Sequence, residues 1–165
     1  MHGFFELKTP TDLLHKLERE YERWKADPLN VDLAWNFFVT AEHLPDWLGR
    51  THTGSPLLGG DSINKFRTER PLLRICSHLE NGGKHLTPNS KQHSSVDHAV
   101  CEMTGVFEDG VFEDDVFADE PALRVYLTPN EQAALGRGTA DVDALWLAGR
   151  IMEFWQAWPA LNTKP

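Results

Sequence analysis

The hydrophobic residues in the first third of the chain recur every three or four positions, which is the spacing of one helical face. This pattern predicts a helix over residues 10–26 and a second helix over residues 30–48. The second helix is apolar around most of its circumference, so we expect it to lie at the centre of the fold. The apolar positions are Leu14, Leu17, Tyr21 and Trp24 in the first helix, and Val31, Ala34, Trp35, Phe38 and Ala41 in the second.

Helical spacing returns in three later segments, which predict helices over residues 62–70, 72–85 and 141–158. Pro71 suits the first turn of the middle one, because proline is tolerated where a backbone N–H needs no helical partner. The last helix is apolar on most sides and is expected to be central as well. A further short helical turn is predicted after Thr128, where Glu131 follows at the spacing of a capping box.

Between residues 96 and 128 the pattern changes from helical to alternating, and strands are predicted only there. Two strands are expected at the ends of this region, and a five-residue unit beginning Val-Phe repeats three times between them, from Val106. Three such units bury little surface, so we predict a small hairpin rather than a repeat domain. The predicted fold class is therefore mainly α, a four- to five-helix bundle in one domain over residues 1–165. Its small antiparallel β-hairpin insert, residues 92–127, precedes the last helix.

Charge is concentrated in that insert. The net charge is −9, but nine of the 25 acids lie between residues 92 and 123, where there is no Lys or Arg. The 16 acids that remain match the 16 basic residues. An anionic ligand is therefore not excluded from the rest of the chain, although the total charge disfavours nucleic acid.

The remaining composition narrows the class of protein. No apolar run approaches the roughly 20 residues needed to span a bilayer, and residues 1–8 do not resemble a secretory signal. Only Cys76 and Cys101 are present, which argues against a disulfide scaffold. We therefore expect a cytoplasmic protein without a membrane segment.

Two polar stripes on otherwise apolar helices are the candidate site. Arg74, His78, Asn81 and His85 fall within an arc of about 60° on the fourth helix. Asp32, Asn36, Thr40, His43 and Trp47 form a similar stripe on the second helix. If the two stripes face each other, they form a shared network, because buried polar groups need partners. A solvated face, a structural network and a functional site remain open as interpretations.

The residue types in the stripes suit the handling of a phosphodiester. Histidine serves as acid or base near neutral pH, while arginine and lysine hold phosphate or a developing anion. Asparagine can orient a histidine or bind a phosphate oxygen. The predicted catalytic residues are His85, Asn81, Arg74 and His43, and the predicted substrate-binding residues are Lys84, His78, Asn36 and Asp46.

A metal site is the rival chemistry. His78 and His85 are separated by about 10.5 Å of helix rise, too far to share one ion directly. Glu42 and His43 could complete a mixed site with a histidine from the facing helix. Neither HExxH nor CxxC occurs in the sequence. No metal and no cofactor are therefore predicted.

Two phrases together resemble an uncharacterised group of small bacterial and phage-associated helical proteins. They are the His-x-x-Asp-Trp phrase of residues 43–47 and the Asn-Gly-x-Lys-His phrase of residues 81–85, and Phe154-Trp155 matches the close of that group. More distantly, the layout resembles the HEPN helical domain. That resemblance implies RNA or nucleotide binding or a metal-independent ribonuclease of the toxin or defence type, usually as a homodimer.

Two functional classes follow. The first is an RNA-directed or nucleotide-binding helical domain, catalytic or not, that uses the stripe residues. The alternative is a non-enzymatic interaction module whose acidic insert docks a basic protein partner, with Phe107, Phe112 and Phe117 interleaved among the acids. The first class predicts an open pocket around His85, and the second predicts a sealed polar network.

Overall fold

The computed structural model describes residues 4–50, 58–59, 61–84, 95–102 and 121–161. The fold is mainly α with a small antiparallel sheet, as predicted. The elements in chain order are α1 (Pro10–Ala26), α2 (Val31–Arg50), α3 (Ile63–Thr68), α4 (Pro71–Lys84), β1 (Val96–Glu102), β2 (Ala122–Leu127), α5 (Pro129–Ala134), β3 (Asp141–Asp143) and α6 (Ala144–Gln156).

Local sequence accounts for the start of α1. The Thr9 hydroxyl accepts a hydrogen bond from the Asp12 amide, and the Asp12 carboxylate accepts one from the Thr9 amide. This reciprocal capping box satisfies two amides that the first turn leaves without helical partners. The predicted bounds of this helix are confirmed.

Helix α2 continues through Pro45 to Arg50 and forms the centre of the bundle. It packs against α1, α3, α4 and α6. The approach to α3 is close at Gly49, where an added Cβ would lie 2.5 Å from a side-chain carbon of Ile63. Trp24, Phe37 and Phe38 pack in tilted and edge-on pairs between α1 and α2.

The other end of the core joins α3 to α6. The Phe66 ring stacks on Trp155 at a centroid distance of 6.1 Å, and both side chains are fully buried. The Arg70 guanidinium lies 3.9 Å from the centroid of the Phe66 ring, a cation–π contact that covers this aromatic cluster.

The three strands form one antiparallel sheet in the order β1-β2-β3. Side chains of β2 alternate between half-buried and buried, which places Leu123, Val125 and Leu127 against the helices. The pairing of β1 with β2 confirms the antiparallel arrangement at the two ends of the predicted insert. The Val-Phe repeats lie outside the described residues.

The prediction that strands occur only between residues 96 and 128 is wrong for β3, and α6 begins at Ala144 rather than at residue 141. The Asp143 carboxylate accepts a hydrogen bond from the Trp146 amide at 2.7 Å, so Asp143 is the N-cap of α6. Residues before the cap are extended and pair with β2. Proximity to β2 decides this segment, since three residues carry no periodicity of their own.

Candidate functional site

Arg74, predicted to be catalytic, is bound by a buried carboxylate. Its Nε and Nη2 donate to Glu131 Oε1 and Oε2 at 2.7 and 2.9 Å, and its Nη1 donates to the Thr68 carbonyl at 2.5 Å. Glu131 lies in the first turn of α5 and also accepts from the Ser95 hydroxyl at 3.0 Å. Arg74 therefore links α4 to α5 and to the segment that precedes β1.

His78 continues this link one turn along α4. Its Nδ1 accepts hydrogen bonds from the backbone amides of Ser95 and Val96, each at 3.1 Å. Nδ1 therefore carries no proton in this arrangement, because a protonated ring nitrogen cannot accept. The stripe of α4 thus holds the start of β1 through one histidine and one arginine.

The C-terminal part of the stripe is only partly described. Asn81 donates from Nδ2 to the Ser77 carbonyl on the same helix at 2.9 Å. The Lys84 side chain and all of His85 lie outside the described residues. The predicted open pocket around His85 therefore also falls outside the described part of the chain.

Helix α2 packs on α4, as expected, but through a different face from the predicted stripe. The Phe38 carbonyl accepts a hydrogen bond from the Cys76 thiol at 3.3 Å. Asn36 and His43 are exposed instead, and no hydrogen bond joins His43 to Asn81 among the described side chains. Thr40 is directed to α1, where it accepts from Lys16 Nζ at 2.6 Å. The face of α2 that meets α4 carries Phe38 rather than the stripe residues, so the expected network between the stripes does not form through these residues.

Asp46 belongs to a buried ionic cluster. Its carboxylate lies 2.8 Å from Arg67 Nη2, and Arg67 Nε lies 2.7 Å from Glu42 Oε1. Glu42 is only 6% exposed, and burial raises its pKa to about 7 although the Arg67 charge acts in the opposite direction. Its Oε2 has no hydrogen-bond partner among the described residues. The cluster joins α2 to α3, and the sequence indicated Glu42 only as a metal candidate.

An apolar groove lies between the helices and the sheet, and the sequence analysis did not identify it. Its volume is about 240 Å³. Its lining comes from the first half of α2, from α4, from β1 and β2, and from Ala144 at the start of α6. The main lining side chains are Val31, Trp35 and Val39 on α2, Leu79 on α4, Ala99 and Cys101 on β1, and Leu123 and Val125 on β2.

Several apolar residues that line the groove are exposed to solvent. Val31 is 59% exposed and Trp35 is 44% exposed, and Ala99, Val100 and Cys101 are exposed on β1. Contiguous exposed apolar surface is characteristic of interaction sites. The signal in the sequence is the set of apolar residues on more than one face of α2, a pattern that also predicts a central helix.

Ionisable groups at the groove are few. Glu80 and Arg124 contribute to its lining, and Arg124 is bound by Glu102 at 3.8 Å and by Asp141 at 3.5 Å. In the described ranges no group of three or more His, Cys, Asp or Glu side chains could hold a metal ion. None of the helices described is long and apolar enough to cross a membrane.

No family model, curated protein or solved structure matches this chain. The resemblance to the small helical group and to the HEPN domain stays a prediction.

Proposed function

We propose that this protein is a non-enzymatic interaction module that binds an apolar segment of another protein in the groove between α2 and β1. The observation that carries the proposal is the exposure of Trp35 on the wall of a groove of about 240 Å³. Tryptophan is the residue type most enriched at the energetic centres of protein interfaces. A concave apolar surface with few polar groups suits a hydrophobic anchor.

The polar stripe of α4 supports this choice over a nuclease. Arg74 and His78 are engaged with Glu131, Ser95 and Val96. A guanidinium held by a bidentate carboxylate is not available to a phosphate unless that pair breaks. RNA or nucleotide binding remains a prediction that depends on Lys84 and His85, and a homodimer remains a prediction of the HEPN resemblance alone.

The test is selection of a random dodecapeptide library displayed on phage, followed by fluorescence anisotropy with the enriched peptides. Trp35→Ala should weaken their binding by about 10- to 100-fold, as expected for a tryptophan at the centre of an interface. Trp146→Ala is the matched control. Trp146 is 37% exposed, and its ring is contacted by Arg137 away from the groove lining.

Reversible chemical modification of a cysteine in the groove provides a second test. Cys101 is exposed in the groove, whereas Cys76 is buried and burial raises the pKa of its thiol well above the ordinary value. A benzyl methanethiosulfonate reagent should therefore modify Cys101, abolish peptide binding, and release it again on reduction. Cys101→Ser should bind peptides and resist the block. Peptides that bind equally well to Trp35→Ala and to the modified protein would refute the proposal.

A further inference from the structure

The inference concerns how a bound segment lies in the groove, and it rests on the proposed function. Strand β1 is at the edge of the sheet and has β2 as its one strand partner in the part of the chain that the structure describes. Residues 97–101 are exposed without interruption, so both faces of this strand are accessible. An edge strand presents alternate backbone N–H and C=O groups to any chain that approaches it.

Within the described part of the chain, only the two ends of this edge carry the usual protection of an edge strand. Edge strands are commonly blunted by Pro, by charged side chains or by bulges. The register irregularity of β1 lies at its beginning, between Val96 and His98, where His78 also binds the backbone. The stretch Ala99-Val100-Cys101 that follows carries no charge and no proline. It is therefore competent to pair with a further strand.

The two faces of β1 differ in a way that favours an added strand. On the outer face, the His98 ring stacks on Tyr126 at 4.1 Å between centroids, and the Tyr126 hydroxyl donates to Glu102. These contacts hold β1 in place against β2. On the inner face, Ala99 and Cys101 are small, which leaves space between the strand and Trp35 on α2.

Charge around the groove determines the chemistry of the partner. Asp32 is exposed next to Val31 in the sequence, and Glu80 lines the groove. The basic residue in the described lining, Arg124, is already bound by two acids. A basic partner complements this surface.

We propose that the groove captures an extended, basic segment of a partner protein by adding it to the sheet as a fourth strand beside β1. Residues 97–102 extend about 20 Å, enough to pair with roughly six residues of the partner. Alternate apolar side chains of that segment enter the groove against Trp35. Lys or Arg residues of that segment meet Asp32 and Glu80.

The probe is a synthetic peptide, Lys-Lys-Val-Thr-Ile-Thr-Val-Lys-Lys, labelled with fluorescein. Two versions carry N-methyl groups at alternate central residues, one at the odd and one at the even positions. In an added strand only one of these sets faces β1. One version should lose affinity by about tenfold or more, because several backbone hydrogen bonds are removed, and the other should bind within about threefold of the parent peptide.

Changes of charge on the protein and on the peptide test whether the partner is basic. Asp32→Lys should weaken binding of the parent peptide by about three- to tenfold at low salt. Glu22→Lys on α1, exposed and outside the groove lining, makes the same change in net charge and should have no effect. A peptide with Glu in place of every Lys should bind the wild-type protein at least about tenfold more weakly than the parent peptide does.

The outcomes separate the two proposals. If library peptides depend on Trp35 but both N-methylated probes bind alike, or the parent probe does not bind, strand addition is wrong and the groove function stands. If no peptide depends on Trp35, the groove function itself fails. If the peptide with Glu in place of every Lys binds as well as the parent peptide, the proposal that the partner is basic is wrong. If the protein has the mass of a dimer in solution, the groove is occupied by a second copy of the chain instead of a partner.

Discussion

At the scale of single residues, Arg74 and Glu42 illustrate how a fold redirects chemical groups. The sequence predicts Arg74 as a catalytic residue that holds phosphate, and its five donors fit a carboxylate fork equally well. In the structure that fork is Glu131, 57 positions away in sequence. Glu42, which the rival metal interpretation would use as a ligand, is enclosed beside Arg67. Both side chains hold elements together.

Loss of the Glu131 carboxylate should be costly. Glu131→Ala leaves the Arg74 guanidinium and the Ser95 hydroxyl without their acceptor in a buried setting. We expect the free energy of unfolding to fall by about 2–3 kcal/mol, measured by urea denaturation. Glu153→Ala removes a carboxylate from an exposed pair with Arg150 and should cost less than about 0.5 kcal/mol. Equal costs for the two variants would contradict the structural role of Glu131.

Glu42 predicts a pH dependence of stability. Its folded pKa of about 7 exceeds the ordinary value of 4.5, chiefly because burial disfavours its charge. The folded state therefore binds the proton more tightly than the unfolded state, and the resulting stabilisation is complete below pH 4.5 and lost as pH rises through 7. The loss attributable to this group is about 1–3 kcal/mol.

The measurement is urea denaturation of the wild type and Glu42→Gln at pH 5 and pH 8. Glutamine stays neutral at both values, so the variant should lose less stability than the wild type on going to pH 8. Other titrating groups contribute equally to both proteins and cancel in the comparison. An identical pH dependence in the two proteins would show that Glu42 is charged throughout.

At the scale of elements, α2 has two different halves. Its second half is enclosed by α1, α3 and α4, with Ala41, Leu44 and Leu48 buried. Its first half faces the groove and leaves Val31 and Trp35 exposed. Trp24 of α1 and Trp35 of α2 therefore have different roles, although both occur at positions of helical apolar spacing.

Stability measurements should separate those roles. Trp24 is 0% exposed, so Trp24→Ala should lower the free energy of unfolding by about 3–5 kcal/mol. Trp35→Ala should lower it by less than about 1 kcal/mol, because much of its ring is already in water. Urea denaturation of both variants provides the comparison. A cost for Trp35 close to that for Trp24 would mean that this wall of the groove belongs to the core.

At the scale of the whole molecule, the distribution of charge is the relevant property. The chain carries −9 in total, and the acids around the groove add to repulsion of a polyanion. Nucleic-acid affinity depends on Lys and Arg that neutralise phosphates. Here Arg74 and Arg124 are bound to carboxylates.

Single-stranded RNA should therefore bind poorly. We expect a fluorescein-labelled RNA 20-mer to bind with a dissociation constant weaker than about 10⁻⁴ M at physiological salt, measured by anisotropy. Tighter binding that falls with added salt, and that is lost in both Lys84→Ala and His85→Ala, would favour the nucleotide-binding hypothesis. A dimer lost with His85→Ala would add support to the HEPN resemblance.

The sequence by itself determined what depends on neighbours within a few positions. The apolar spacing of Leu14, Leu17, Tyr21 and Trp24 predicted α1 with the bounds that the structure has, because a helical face is a local property. The alternation around β1 and β2, and the concentration of acids between them, could likewise be read directly.

Only the tertiary structure decided which groups meet. Strand β3 exists because β2 is beside it, and Arg74 is structural because α5 brings Glu131 to it. The groove needs α2, α4, β1 and β2 together, and its opening arises because β1 is an edge strand whose inner face is not covered by the helices described. Burial and pairing of this kind are set by residues distant in sequence, so periodicity, which is a local property, could not reveal them.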